Sequence, residues 1–169
     1  LGTGLKSIGD NAFDGCKNLT SLTIPNNVTS IEKYAFDRCN ALTSLTLGTG
    51  LKSIEKYAFD GCNALTLLTI PDSVTSIGDY AFDGCKNLTS LTLGTGIKSI
   101  GNSAFKECNA LPSLTIPNSI TSIGENAFDG CSNLTSLTFE TGSQLTSIKA
   151  SVFKECNALP SLTIPDSIT

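Results

Sequence analysis

From Leu19 to Ile31 the chain reads LTSLTIPNNVTSI, and apolar and polar positions change places on a short rule. Leu22 and Ile24 alternate with Ser21 and Thr23. A period of two marks a short strand with one buried and one wet face. Pro25 ends that strand, because proline has no N–H to give a ladder and favours a turn. Val28 and Ile31 follow three residues apart, which places two more apolar side chains at a corner or on a second short segment. Farther on, Ser76 to Cys85 reads SIGDYAFDGC, with Ala81, Phe82 and Cys85 at helix-like spacing. This stretch predicts one helical turn, or a tighter turn, packed inward.

The whole pattern then returns. Cys16, Cys39, Cys62, Cys85, Cys108, Cys131 and Cys156 are separated by 23 residues five times and by 25 once. Self-similarity at a period in the twenties is the signature of a solenoid. A single unit buries too few side chains to offset the ordering of its backbone, so stability has to come from stacking. Residues 1–169 therefore read as a single array of about seven repeats, incomplete at both ends. With parallel strands ~4.8 Å apart, it forms a slab roughly 30–35 Å long. A superperiod of 46 lies over the repeat: the turn after the strand alternates between IPNNVTSI (Ile24 to Ile31) and LGTGLKSI (Leu47 to Ile54). Gly48 and Gly50 are expected to make their turn by adopting backbone angles closed to other residues. One copy, FETGSQLTSI from Phe139 to Ile148, carries two extra residues, which accounts for the spacing of 25.

The pattern LxxLxIPxxVxxIGxxAFxxCxxL, as at Leu65 to Leu88, resembles the BspA-like class of leucine-rich repeats, and the resemblance covers essentially the whole chain. It implies a right-handed, curved solenoid with a parallel β-sheet on the concave side and short helical turns or irregular segments opposite. It also implies a surface or secreted protein of bacteria, or of some parasitic or commensal protists, engaged in adhesion and ligand binding without enzymatic activity. The class has no fixed set of functional residues, so no site is carried over.

Composition narrows the chemistry. Forty per cent apolar residues suffice for a core, and the apolar runs are too short to cross a bilayer. A net charge of −4 offers no basic footprint for nucleic acid. The chain has no histidine. A metal site needs two to four ligands converging on one point, and these thiols stand one rung apart. A catalytic thiol needs a base beside it, and no imidazole is present to serve. Disulfides between neighbouring rungs fall within bridging distance. Against them, stacked copies point in parallel and seven is an odd number. The cysteines therefore read as reduced, buried core residues, small and polarizable. GTGLKS at Gly2 to Ser7 and Gly48 to Ser53, with GTGIKS at Gly94 to Ser99, lacks the order of a phosphate loop and recurs as a turn. The carboxylates look scattered, with no calcium loop among them. No catalytic, cofactor-binding or metal-binding residue is expected.

Two polar features remain as candidates for binding a protein or glycan on another cell or matrix. Ser21, Ser44, Ser90, Ser113, Ser136 and Ser161 form one column, interrupted by Leu67, beside an all-threonine column of Thr23, Thr46, Thr69, Thr92, Thr115, Thr138 and Thr163. Threonine is also simply a good exposed strand former. Tyr34, Tyr57 and Tyr80 fill one slot in three consecutive rungs, where other rungs hold Asn11, Ser103, Asn126 and Ser151. That substitution pattern marks the slot as partly wet, and a row of tyrosines is an amphipathic strip of the kind enriched at interfaces. The phenylalanines Phe13, Phe36, Phe59, Phe82, Phe105, Phe128 and Phe153 share one register and should form a buried stack. Asn18, Asn27, Asn87 and Asn133 open N-x-[ST] sequons, candidate glycan acceptors in a eukaryotic secretory route.

The preferred reading is a non-enzymatic adhesion and recognition module, cell-surface or extracellular, with a structural protein of end-to-end stacked solenoids as the alternative. Leu5 and Ile8 begin an ordinary rung, and Ile164 and Ile168 close with standard core residues, so no polar cap is visible. Thr169 matches Thr29 and Leu1 matches Leu47, so one copy does not continue seamlessly into the next. A longer parent array would supply the missing stretch.

Overall fold

The structure is a computed structural model; it describes Gly2 and residues 4–168. Leu1 and Thr169, where the repeat phase is read at either end, lie outside the described residues. Twelve short strands follow one another: β1 (Ser7–Ile8), β2 (Ser21–Thr23), β3 (Ser30–Ile31), β4 (Ser44–Thr46), β5 (Ser53–Ile54), β6 (Leu67–Thr69), β7 (Ser76–Ile77), β8 (Ser90–Thr92), β9 (Ser99–Ile100), β10 (Ser113–Ile116), β11 (Ser122–Ile123) and β12 (Ser136–Phe139). The odd-numbered strands up to β11 form one six-stranded parallel sheet in the order β1-β3-β5-β7-β9-β11. Its register steps from Ser7 to Ser30 to Ser53 and onward, each isoleucine resting on the isoleucine one rung away. The even-numbered strands pair in twos, β2 with β4, β6 with β8 and β10 with β12, all parallel and in the same register. Leu45 on β4 and Glu140 just after β12, four rungs apart, line one concavity, which puts the even-numbered strands on the inside of the curve.

Of the two forms expected for Ser76 to Cys85, the tighter turn is the one found: no helix forms among the described residues, and the stretch is a run of tight turns after β7. The hydrogen bonds give the reason. In one rung Ala35, Asp37 and Cys39 donate their N–H groups back three residues, to Glu32, Tyr34 and Phe36, at 3.2–3.3 Å. The residues between them, Tyr34, Phe36 and Arg38, donate instead to the next rung, to the carbonyls of Lys56, Ala58 and Asp60, at 2.8–3.2 Å. A helix needs every N–H to point the same way along its own axis. Here alternate groups serve the neighbour. The reversal requires left-handed backbone at two slots per rung, seen at Tyr34 (φ 56°) and Arg38 (φ 55°) and at equivalent positions throughout.

Between the sheets and these turns lies one continuous core. Phe36, Phe59, Phe82, Phe105 and Phe128 are fully buried, and the seven phenylalanine rings stack with centroids 5.0–5.7 Å apart. These steps exceed the ~4.8 Å of paired strands, so the rungs fan apart on this side. All seven cysteines are free; five are buried, and Cys16 and Cys156 are half-buried. They do more than fill space. Each thiol from Cys39 onward donates to the carbonyl of a phenylalanine in the preceding rung, at 3.3–3.7 Å, as Cys85 does to Phe59. Such S–H bonds are weak individually. Repeated once per rung, they favour cysteine over an alanine or valine of similar bulk.

The glycines of the alternate turns differ from expectation. Gly48 and Gly50 do not adopt positive φ. They are glycine because they lie against the preceding rung's proline turn: a β-carbon at Gly50 would run into the carbonyl oxygen of Asn26, and one at Gly48 into that of Pro25. The two extra residues near Gly142 also have a visible effect. Beyond β12 no further strand forms among the described residues, including the Thr146–Ile148 stretch that would have extended the six-stranded sheet.

Burial pushes the Cys39 thiol up to about 11 and the deeper thiols higher still, so these groups stay protonated at neutral pH. Native protein should react slowly with a thiol reagent at the five buried cysteines, faster at Cys16 and Cys156, and completely in denaturant. Cys85→Ala should lower stability by about 1–2 kcal/mol. Cys85→Asp should prevent native packing, because it buries an unpaired charge. Urea titration followed by circular dichroism measures both, and rapid labelling of Cys62, Cys85 and Cys108 in the folded state would refute the burial.

Candidate partner-binding surface

The tyrosine slot sits at the first left-handed position of each rung, one residue before the buried alanine and phenylalanine. Asparagine suits this backbone and serine puts little bulk there; a bulky residue with positive φ is an outlier, and such residues cost on the order of 1 kcal/mol or more each. Tyr34 (φ 56°), Tyr57 (φ 59°) and Tyr80 (φ 56°) occupy it nonetheless, in three successive rungs. Their rings stack, with centroids 4.8 and 4.7 Å apart and planes within 12°. Tyr34 is 36 % exposed, and Tyr57 and Tyr80 are half-buried. Stacking covers the faces between the rings, so the strip offers ring edges, phenol oxygens and the outer face of Tyr34, whose neighbour in the preceding rung is the small, exposed Asn11. Desolvation, then the neighbouring tyrosines, then Asp60 and Asp79, hold the Tyr57 hydroxyl above its ordinary pKa.

Lys56 places its Nζ 5.0 Å from the Tyr57 centroid and 5.6 Å from that of Tyr80. Those two rings are 4.7 Å apart, so one ammonium lies within reach of both. At these distances and at a partly exposed site each is a weak cation–π contact.

Three residues beyond each tyrosine stands a carboxylate. Asp14, Asp37, Asp60 and Asp83 follow the 23-residue register and form a column on four successive rungs. These acids are not scattered. The signal was the same spacing that revealed the cysteines. Asp14 is exposed, Asp60 and Asp83 are half-buried, and Asp37 is buried with its Oδ1 lacking a hydrogen-bond partner. Burial, reinforced by Asp83 and Asp37 and opposed by Arg38, pushes Asp60 up to about 6. Burial likewise pushes Asp83 up to about 6, with Glu107 adding and Lys106 and Lys86 opposing. Among the described residues no group of three or more cysteines and acids is placed to hold a metal ion.

On the inside of the curve, Thr46, Thr69 and Thr92 are exposed, as the alternation predicts. With Leu67, 56 % exposed, and Glu140 they line a shallow concavity of about 880 Å³. The sequence marks Leu67 only as a break in the serine column; the structure makes it an exposed apolar side chain in the lining of this groove. The structure does not bring the threonines and the tyrosines together in one cavity. Among the sequons, Asn18, Asn87 and Asn133 are exposed, whereas Asn27 is half-buried and its side-chain amide donates to the Leu5 carbonyl at 2.5 Å.

With this geometry in hand, comparison with known proteins is direct. A family model described as BspA type leucine rich repeat region matches in six copies, over residues 1–71 and 52–169. The chain belongs to the BspA-type leucine-rich repeat family. Among solved structures it is similar to a leucine-rich repeat protein of T. pallidum, at 31 % identity and a TM-score of 0.84, covering 92 % of this chain and 72 % of that one. It is also similar to a leucine-rich repeat protein from Eubacterium ventriosum, at 30 % identity and a TM-score of 0.82, covering 91 % of this chain and 41 % of that one. A third likeness is to the pneumococcal vaccine antigen PcpA, at 28 % identity and a TM-score of 0.68, covering 82 % of this chain and 37 % of that one. The chain thus spans under half the length of the last two. No curated protein matches the sequence.

The raised carboxyls give stability a direction in pH. Between the ordinary value of 3.8 and about 6, folded Asp60 and Asp83 hold protons that the unfolded chain has released. Stability therefore rises as the pH falls through this window and is lower above it. The urea midpoint should be higher near pH 5 than near pH 7, and Asp60→Asn with Asp83→Asn should flatten that difference. A midpoint that falls steadily from pH 7 to pH 5 would contradict it.

Proposed function

We propose that this BspA-type array is a non-enzymatic adhesion and recognition module, displayed on a cell surface or secreted, and that its principal contact is the Tyr34–Tyr57–Tyr80 strip. One observation carries the reading. Three tyrosines occupy a strained slot that asparagine and serine fill elsewhere, and the solenoid needs no ring there to complete its hydrogen bonds. Unfavourable backbone retained without structural need is a mark of function. Partly exposed aromatics also carry interface energy out of proportion to their area, which exposed serine and threonine seldom do. Membership of the BspA-type family supports the surface part of the reading. The threonine column with Leu67 then serves as a secondary contact.

In a binding assay on immobilised matrix proteins and glycans, wild-type protein should be retained saturably on at least one surface. The triple variant Tyr34→Ser, Tyr57→Ser, Tyr80→Ser should fold and lose at least tenfold in affinity there. Stability should change by no more than about 1 kcal/mol per position, because relief of the left-handed strain offsets the lost stacking. Undiminished binding by that variant, with loss in Thr46→Val, Thr69→Val, Thr92→Val, would move the site to the concave face.

A further inference from the structure

The tyrosine and carboxylate columns share three rungs. Tyr34 and Asp37, Tyr57 and Asp60, and Tyr80 and Asp83 are each separated by an alanine and a phenylalanine that point into the core. Asp37, Asp60 and Asp83 each donate their N–H to the carbonyl of the tyrosine three residues earlier, at 3.2–3.3 Å, so the two columns run side by side. In the later rungs the carboxylate column changes character: it runs Lys106, Asp129, Lys154. There a lysine of the chain itself reaches the column, the Lys154 Nζ lying 3.8 Å from Asp129 Oδ2 and 3.3 Å from Glu155 Oε1, while Asp129 Oδ1 stays unpartnered as Asp37 Oδ1 does. The earlier four rungs have no lysine in the column. Within them Asp37 has a 3.6 Å approach from the Arg38 Nε to one oxygen, while its other oxygen, in a residue only 4 % exposed, is unpartnered. Asp10 and Asp79 add negative charge at the margins, against Lys33, Arg38 and Lys56, with Lys86 and Lys106 acting on Asp83 from the far end. Beside the tyrosines, Lys56 shows what this face accepts: an ammonium at the rim of the stacked rings.

We infer that the double column Tyr34/Asp37, Tyr57/Asp60, Tyr80/Asp83 binds a basic, extended polypeptide segment, whose lysine or arginine side chains take the place that Lys106 and Lys154 occupy in the later rungs. Extended chain suits a ladder of rung-spaced acceptors, because its side chains emerge at regular intervals along one edge. Carboxylates supply charge-assisted hydrogen bonds, and phenol oxygens and the open face of Tyr34 supply the flanking contact. This inference rests on the tyrosine strip being the contact surface and adds the chemistry of the partner.

The test uses a fluorescent peptide alternating lysine and serine, its glutamate counterpart and a neutral serine–glycine peptide, with binding read by anisotropy at low and high salt. Wild type should bind the basic peptide alone, and more weakly at high salt. Asp60→Asn with Asp83→Asn should weaken that binding by about tenfold. Asp72→Asn with Glu140→Gln, which removes the same charge from the inner face, should leave it unchanged. Lys56→Ala, which vacates the rim of the rings, should strengthen it by a few-fold. Equal losses in the two double variants, or no preference for the basic peptide, would overturn the inference. A non-basic partner captured through the tyrosines would also overturn it while leaving the tyrosine strip standing as the contact surface.

Discussion

Everything in this molecule depends on a division of labour among backbone N–H groups. In each turn, alternate residues close short loops within their own rung while the residues between them reach to the next. A rung that satisfied only itself would be an isolated loop with too little core to persist. A rung that gave every N–H to its neighbour would have no shape of its own. The alternation secures both, and it survives the rung of 25 residues, where Phe128 and Gly130 still donate to Val152 and Lys154 at 2.9 Å. The side chains follow: phenylalanines stack because their backbones are paired, and each thiol meets a phenylalanine carbonyl because both lie in register.

The same alternation explains where function has room to arise. Core positions are held on both sides by identical neighbours, so a change in one rung is felt in the next two. The left-handed slots are different. Their backbone is committed but most of their side chains reach the surface, Ser103 being buried, so residue type there is freer than in the core provided the backbone strain is tolerated. Tyrosine at three of these slots exploits that freedom, on a scaffold that hydrogen-bonds rigidly beneath it.

Much of this was legible in the sequence. The cysteine spacing revealed the solenoid, the alternation in LTSLTI located the inner strands, and the shared register of the phenylalanines identified the stack. What was not legible depends on how neighbours meet. AFDGC has helical spacing, and only knowledge that half its N–H groups go elsewhere removes the helix. Gly48 and Gly50 look like conformational glycines until the carbonyls of Pro25 and Asn26 are found against them. Tyr34, Tyr57 and Tyr80 were visible as a row, but not that their faces were spent on one another. Asp14, Asp37, Asp60 and Asp83 were in plain register, yet a carboxylate column has no meaning until its burial and the lysines of the later rungs are seen beside it.

The packing of glycine turn on proline turn has a further consequence for how such an array lengthens. Gly48 and Gly50 fit the turn at Pro25, and Gly94 and Gly96 fit the turn at Pro71, while the inner strands pair across these same junctions and not across the ones between. The solid therefore has a two-rung unit cell, like a crystal with two kinds of layer. Excising 46 residues leaves every junction of a kind already present. Excising 23 forces like against like, and where two proline turns meet, an asparagine or serine side chain is driven into a carbonyl that only glycine can approach. Arrays of this type can grow or shrink by whole cells, and a count of rungs that changes parity marks a place where the lattice has had to be repaired.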